Sequence, residues 1–167
     1  MLAAQVARIT ADLADLRSTF LARTSGGGDA FVGARAYRSA ALNVPNAAFT
    51  AIALDAESFD SATLHSTVTN TSRITVPTAG HYEVHATLRY QAGAGNLRLV
   101  GIYRNGTQIA TNWSGATALG LSVSDVVPCA ANDYIEMYGY QDTGGNLALE
   151  VGGGAGGNYL TVARISD

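Results

Sequence analysis

Apolar residues near the N-terminus recur at intervals of four, three, four, three and four residues, and no later part of the chain has this spacing. The spacing matches the a and d positions of a heptad and predicts a helix over residues 1–23 with one narrow apolar stripe. Asp12 and Arg17 fall at a g position and the following e position, where they can pair between chains. A helix of about 20 residues is marginal alone in water, so we expect it to associate with copies of itself; the alternative is that it packs on its own domain. The stripe residues predicted to lie between subunits are Leu2, Val6, Ile9, Leu13, Leu16 and Phe20.

A different pattern begins after residues 24–31, which hold three consecutive glycines and predict a flexible linker. From residue 32 to residue 167, short runs rich in Val, Ile, Thr and Tyr alternate with clusters of Gly, Asn, Asp and Pro. This alternation predicts an all-β head domain of short antiparallel strands, as in a sandwich or jelly roll. The predicted strands cover residues 32–42, 47–54, 71–76, 80–91, 96–104, 107–113, 118–128, 133–142, 146–151 and 158–165.

The strand predicted over residues 133–142 is apolar or aromatic on both faces. Ile135 and Met137 point to one side of this strand, and Tyr134, Tyr138 and Tyr140 point to the other. A core on one side leaves the tyrosine side in need of a partner. We therefore predict that Tyr138 and Tyr140 contribute to contacts between subunits.

Antiparallel connections place successive turns at alternate ends of a sandwich. The Asn105-Gly106 pair predicts a tight type I′ turn at the near end, which we define as the end where the last strand stops. Longer or glycine-rich loops are predicted to collect at the far end, and loops on a rigid scaffold commonly carry binding sites. The predicted far-end segments are residues 55–70, 92–95, 114–117 and 152–157.

Composition excludes several classes of protein. Charged residues make up 14% of the 167 residues, the net charge is −3, and there is no lysine. A chain without a basic face is unsuited to bind nucleic acid, because phosphate contacts supply most of that affinity. There is no apolar run of about 18 residues, so we expect no membrane insertion. Cys129 is the only cysteine and is predicted to be a buried structural thiol.

Groups that could support metal binding or catalysis are few. His81, Glu83 and His85 alternate along a predicted strand, which spreads them by about 3.3 Å per residue, so we predict no metal site. The glycine run at residues 152–157 precedes a strand rather than a helix and is no dinucleotide-binding motif. Asp55 and its acidic neighbours form either the rim of a solvated loop or, as the alternative, an acid pair or calcium site. We predict no enzyme activity and no cofactor.

Trp113 is the only tryptophan and falls beside a predicted far-end loop. Aromatic planes next to amide and carboxylate groups suit sugar rings and their hydroxyls. The alternative is that Trp113 caps the core or fills a subunit contact. The candidate ligand-binding residues at this end are Asn96, Asn112, Trp113, Ser114, Asp142 and Asn158.

The chain also resembles a known family over about residues 33–165. The most specific part is Arg73 to Tyr82, where Pro77, Gly80 and Tyr82 form a Pro-x-x-Gly-x-Tyr link between two strands. The resemblance is to heads related to complement subcomponent one-q and the tumour necrosis factor superfamily, in particular the version at the end of bacteriophage tail fibres. It implies a ten-stranded jelly roll assembled as a trimer and preceded by a coiled coil or fibrous shaft. The other segments that carry it are residues 58–60, 65, 101–107, 132–136 and 159–165.

These features predict a trimeric, non-enzymatic virion fibre head that binds a bacterial cell-surface glycan or protein. The N-terminal helix is expected to contact another virion protein, on a tail fibre or on a capsid-attached fibre. One alternative is a structural module, either a capsid-decorating head fibre or a trimerisation cap. Another is the head of a bacterial surface fibre with the same fold.

Overall fold

The computed structural model describes residues 31–115, 117–151 and 157–166, together with residues 8–9, 12–14 and 17. The chain divides into two units, Met1–Phe31 and Val32–Asp167. In the first unit residues 8–9, 12–14 and 17 are helical, and the Ile9 and Leu13 side chains are 58% and 61% exposed. These six described residues are helical as the heptad spacing predicts, and the full extent of the helix and its association stay predictions. The other predicted stripe residues lie outside the described residues: Leu2, Val6, Leu16 and Phe20.

The second unit contains two antiparallel sheets that enclose one hydrophobic core. The first sheet has the strand order β4-β1-β12-β6-β9, and the second has the order β3-β10-β7-β8, with β5 also paired to β10. The short strands β2 and β11 pair with each other. The strands are β1 (Gly33–Arg38), β2 (Asn43–Val44), β3 (Thr50–Ala51), β4 (Ala56–Asp60), β5 (Arg73–Thr75), β6 (Gly80–Arg89), β7 (Arg98–Arg104), β8 (Thr107–Ser114), β9 (Gly120–Cys129), β10 (Tyr134–Gln141), β11 (Leu147–Ala148) and β12 (Asn158–Ser166).

The strand β4 is the main departure from the predicted strand pattern. Residues 55–70 were expected to form one far-end loop, but Ala56–Asp60 pairs with β1 and carries the chain to the near end. There the Ser61 amide donates a hydrogen bond to the Gly33 carbonyl over 3.0 Å. The prediction failed because this edge strand is largely exposed and its polar residues hide the apolar alternation.

The near end is held together by its tight turns. Asn105 and Gly106 have φ values of 52° and 78°, as a type I′ turn requires, which confirms the predicted hairpin. The Asn105 side-chain amide donates to Asp133 Oδ1 over 2.7 Å, and the Tyr134 amide donates to Asn105 Oδ1 over 2.9 Å. This turn and the turn between β9 and β10 therefore lie together, as the alternation of turns predicts.

Packing in the core explains one unusual position in β10. Gly139 faces the core, where an added Cβ would lie 2.8 Å from the Tyr90 hydroxyl oxygen. That hydroxyl donates to the Leu99 carbonyl over 2.7 Å and accepts from the Tyr140 amide over 3.1 Å. The absence of a side chain at residue 139 thus makes room for a buried hydroxyl that links β7 to β10.

The buried position of Cys129 confirms the prediction of a buried structural thiol. Its side chain is buried at the end of β9, and its thiol lies 3.7 Å from the Val127 carbonyl oxygen. Burial raises the pKa of the Cys129 thiol above its usual value, and the nearby Asp133 carboxylate acts in the same direction. Both effects disfavour the thiolate, so this cysteine is suited to packing rather than to nucleophilic chemistry.

Candidate functional site

A buried arginine braces the loops at the far end. The Arg98 side chain is fully buried at the start of β7, and the described residues contain no ion pair with it. Its guanidinium donates to the Gly93 carbonyl and to the Ala118 carbonyl, each over 2.9 Å. One cation therefore fixes the relative position of the loop before β7 and the loop after β8.

Asp142 also braces the loop before β7. Its Oδ1 accepts hydrogen bonds from the backbone amides of Asn96 and Leu97, both over 2.7 Å. These amides hold the pKa of the Asp142 carboxyl below its usual value. Gly95 is required beside them, because its φ is 117° and an added Cβ would lie 2.9 Å from Thr143 Cα. Asn96 and Asp142 thus lie together, but this Asp142 oxygen is engaged in supporting the loop, and the ligand-binding role of both residues stays a prediction.

Gln141 is a second buried polar support. It is fully buried at the end of β10, and its Nε2 donates to the Val44 carbonyl over 2.9 Å and to the Gly145 carbonyl over 2.8 Å. Its Oε1 accepts from the Thr143 amide over 2.7 Å. The loop after β10 is therefore fastened to β2, and the far end forms a rigid platform around β7 and β10.

Two of the predicted ligand-binding residues are committed to the fold. Asn158 is only 1% exposed, accepts from the Arg89 amide over 2.7 Å and donates to the Glu150 carbonyl over 2.8 Å. Asn158 was predicted to be an exposed ligand-binding residue, and it is instead a buried support of the fold. Asn112 is exposed, but its Nδ2 donates to the Ser122 carbonyl over 2.8 Å and bridges the edge strands β8 and β9.

Trp113 lies on the outer face of the second sheet and is 67% exposed, so it does not cap the core of this chain. It is paired with Leu99 on β7, which is paired in turn with Tyr140 on β10. Phe49 lies beyond Tyr140, with 4.9 Å between the ring centroids. Residues directly opposite in a sheet share a face, so Trp113, Leu99 and Tyr140 form one row across three strands.

The same face continues from this row toward the near end. Tyr138 stacks on Tyr103 with 4.1 Å between ring centroids. Next to them the Arg73 guanidinium lies 4.0 Å above the centre of the Tyr134 ring. The chain has eight tyrosines, four phenylalanines and one tryptophan, and six of these rings are gathered here. We call this surface the aromatic face; its members are Phe49, Tyr103, Trp113, Tyr134, Tyr138 and Tyr140.

The aromatic face is almost free of net charge. In the described part of the second sheet, the ionised groups on this face are Arg73 and Glu136, and their closest side-chain atoms are 3.2 Å apart. The Ser72 hydroxyl also donates to Glu136 over 2.7 Å. The pair neutralises itself, so the remaining surface offers rings, hydroxyls and amides.

The outer face of the first sheet is chemically different. It has a groove of about 250 Å³ in which the Arg35 guanidinium lies 3.8 Å from the centre of the Tyr159 ring. On the other side of Tyr159, the His85 ring of β6 stacks on the Tyr159 ring with 5.5 Å between the centroids. Glu83 lines the same groove. This face carries a histidine beside its charged groups, whereas the aromatic face is built mainly from tyrosine, phenylalanine and tryptophan rings.

The two histidines considered for a metal site have separate partners in the fold. His81 contacts the Ser166 hydroxyl, whereas His85 contacts the Thr87 hydroxyl, over 3.2 Å and 3.1 Å. Over the described ranges, no group of three His, Cys, Asp or Glu side chains is placed to hold a metal ion.

The acidic residues around β4 each have a separate structural partner. Asp55 accepts from the Ser39 amide over 2.6 Å, and Glu57 contacts His65 Nδ1 over 2.8 Å. Asp60 accepts from the Leu64 and His65 amides, both over 2.9 Å. These carboxylates support turns rather than converging as an acid pair.

Sequence reasoning missed Arg98 and Gln141. The one available signal is a polar residue inside or at the end of an otherwise apolar strand, as in Leu97-Arg98-Leu99-Val100. That signal identifies a polar group near the core, but it does not identify the carbonyls that it binds.

No helix in the described ranges is both long enough and apolar enough to cross a bilayer.

No family model matches the chain, and no curated protein sequence matches it. Solved structures match its fold. The structure of Eiger TNF from S. frugiperda has 12% sequence identity and a TM-score of 0.58, over 82% of this chain and 94% of that chain. Crystal structures of murine APRIL at pH 8.5 and pH 8.0 have 10% identity and TM-scores of 0.63 and 0.64, over 81% of this chain and 100% of those chains. Identities this low establish the fold alone: the chain has a tumour necrosis factor-like jelly roll.

Proposed function

We propose that this chain is the head of a bacteriophage fibre, and that it binds the surface of the bacterial host without catalysis. The observation that carries the proposal is the rigid far end, where Arg98, Gln141 and Asp142 fix the loops beside exposed Trp113. Ligand sites need such support, because a preorganised surface loses less conformational entropy on binding. Asn96, Ser114 and Trp113 are the candidate contact residues at this end.

We propose that the head acts as a homotrimer, in the virion, attached to another virion protein through its N-terminal helix. Support comes from the exposed apolar positions Ile9 and Leu13 of the helix and from the tumour necrosis factor-like fold. Three equivalent heads on one fibre would raise the avidity for a repetitive cell surface well above the affinity of one site. Tyr138 and Tyr140 are candidates for the subunit contact, although they share the aromatic face with Trp113.

A structural role is the second candidate. The depression at the far end, about 470 Å³, is lined by Ala92, Gly93, Ala94, Thr117 and Leu119, which offer few polar side chains to a ligand. A capsid-decorating fibre or a trimerisation cap would need no ligand there. The head of a bacterial surface fibre would bind a partner but would not occur in a virion.

The test is binding of the fluorescently labelled full chain to a panel of bacterial strains. We expect saturable binding to at least one strain, competed by unlabelled protein. Periodate treatment of the cells removes glycan receptors and protease treatment removes protein receptors, so the two treatments identify the receptor class. An assembled protein that binds no strain in a broad panel would contradict the adhesion function and favour the structural role.

A further inference from the structure

We propose that the aromatic face binds a neutral polysaccharide, with Trp113 and Tyr140 stacked against the apolar faces of its sugar rings. This inference rests on the proposed function and names the ligand class and the surface. It also gives Tyr138 and Tyr140 a ligand-binding role in place of the predicted subunit contact.

The first argument is the shape of the face. Trp113, Leu99 and Tyr140 form a row across three strands, and strands in a sheet are about 4.8 Å apart. Phe49, which precedes β3, extends the row by a further 4.9 Å between ring centroids. The row therefore spans about 14 Å, which is the length of a few sugar units in an extended chain. Phe49 and Trp113 at its two ends are 54% and 67% exposed, so both rings are open to a ligand in this chain.

The second argument is order. The Tyr103 and Tyr138 rings stack on each other, and the Tyr103 hydroxyl donates to Gln108 Oε1 over 3.0 Å. Gly101 leaves room for this arrangement, because an added Cβ would lie 2.9 Å from the Tyr103 ring. Rings that are already fixed lose little side-chain freedom when a ligand covers them.

The third argument is charge. Arg73 and Glu136 neutralise each other, and the Asp142 carboxylate at the far-end border of the face accepts from two backbone amides, so the face favours an uncharged polymer over an acidic or a basic one. An uncharged polymer with apolar C–H surfaces and hydroxyls matches it. The sugar hydroxyls would also satisfy the tyrosine hydroxyls, whereas a second copy of the same tyrosine-rich face would bury them with fewer partners.

The experiment uses the fluorescence of the full chain, in which Trp113 is the only tryptophan. The probes are soluble neutral polymers (mannan, dextran and a mixed-linkage glucan) and one acidic polymer, polygalacturonate. We expect one neutral polymer to change the Trp113 emission saturably and to protect it from acrylamide quenching. In the free protein the emission should be quenched readily.

Variants report on affinity by affinity electrophoresis in gels that contain the same polymer. Trp113→Ala and Tyr140→Ala should each lower the affinity for the polymer at least tenfold, which the gel shows as weaker retardation. Phe59→Ala is the matched control, since Phe59 is a partly exposed ring, 40% accessible, on the first sheet, and it should leave retardation unchanged.

Three results would overturn the proposal. The first is retardation by polygalacturonate alone. The second is a Trp113 emission that is already protected in the free protein, together with a Tyr140→Ala variant that dissociates into single chains, since the face would then be a subunit contact. The third is host-cell binding that Trp113→Ala and Tyr140→Ala leave intact, which would refute this site while the proposed function stands. If the wild-type chain binds neither cells nor polymers, the proposed function fails as well.

Discussion

The Tyr90 hydroxyl oxygen occupies the space that a side chain at Gly139 would need, because a Cβ there would lie 2.8 Å away. The hydroxyl is hydrogen-bonded on both sides, to the Leu99 carbonyl and the Tyr140 amide. Burial raises the pKa of Tyr90 far above its usual value, so the phenol remains protonated and can donate. The relationship fixes β7 against β10, the two strands that carry most of the aromatic face.

Gly139→Ala is therefore expected to destabilise the head. The added methyl group has no space between the Tyr90 hydroxyl and the Leu88 side chain, so the core must shift. Overpacking of this kind lowers the free energy of unfolding by about 1–3 kcal/mol, which urea denaturation measures. Gly145→Ala is the control: nothing lies within 4 Å of its added Cβ, and stability should change little. Equal effects of the two substitutions would show that the close approach is not a constraint.

Arg98→Met should increase local opening of the far-end loops without unfolding the whole head. The Gly93 and Ala118 carbonyls lose their donor, but they lie in loops that water can reach. Hydrogen exchange should become faster at residues 92–97 and 117–119, with little change in the first sheet. Arg104→Met is the control, because Arg104 donates to the Pro128 carbonyl at the near end. Unchanged far-end exchange in Arg98→Met would remove Arg98 from its bracing role.

Acid should weaken the head through a few aspartates. The Asn105 side chain and the Ala130 amide donate to Asp133 and hold its pKa below the usual value of 3.8. A carboxyl with a lowered folded-state pKa stabilises the fold above its unfolded-state pKa, and this contribution is lost as the pH falls through the folded-state value. Asp133→Asn should lower the melting temperature at pH 7 and flatten its pH dependence between about pH 5 and about pH 3, the range in which carboxyls take up protons.

The control for the loss of a carboxylate is Asp125→Asn. The Asp125 carboxylate accepts from the neighbouring Val126 amide on an exposed part of β9. Because this hydrogen bond joins neighbouring residues and not two turns, the variant should keep the melting temperature of the wild-type chain at pH 7. Matching slopes for Asp133→Asn and the wild type would contradict the assignment to Asp133.

Cys129 should react slowly with a disulfide reagent such as Ellman's reagent while the head is folded. Its thiol is 6% exposed and its pKa is raised, so both access and thiolate formation oppose the reaction. In urea the rate should rise by at least about a hundredfold, because exchange must otherwise wait for local opening. A rapid reaction in native buffer would show that the end of β9 is open.

Local patterns predicted most of the fold. The Asn105-Gly106 turn could be predicted because a type I′ turn needs positive φ at both central residues, and Asn and Gly adopt it readily. Strand β10 could be predicted with both of its faces, since Ile135 and Met137 alternate with tyrosines. Strand β4 could not, because an exposed edge strand has no strong apolar alternation.

The candidate site was only partly predictable, because it depends on contacts between distant strands. Trp113 and Asp142 were identified by type and by loop position, and Trp113 is exposed as a ligand residue must be. Trp113 joins Tyr138 and Tyr140 on one face only because β7 lies between β8 and β10, and no local pattern specifies that order. Asn158 was misplaced because the Arg89 amide that it accepts from is 69 residues away in sequence and becomes its neighbour only when β12 pairs with β6.

Removal of residues 1–24 should leave the oligomeric state unchanged. We expect the head to supply most of the association, since the helix has barely three heptads and is marginal alone. Sedimentation velocity of the shortened chain should give the same number of subunits as the full chain. Single chains in that experiment would show that the helix is the main oligomerisation element.

The most direct test of the trimeric fibre head is the mass of the full chain in solution, measured by size-exclusion chromatography with light scattering. Three chains of 17.2 kDa predict a particle of about 52 kDa that persists on dilution. A stable particle of 17.2 kDa at the concentrations used for cell binding would contradict the account.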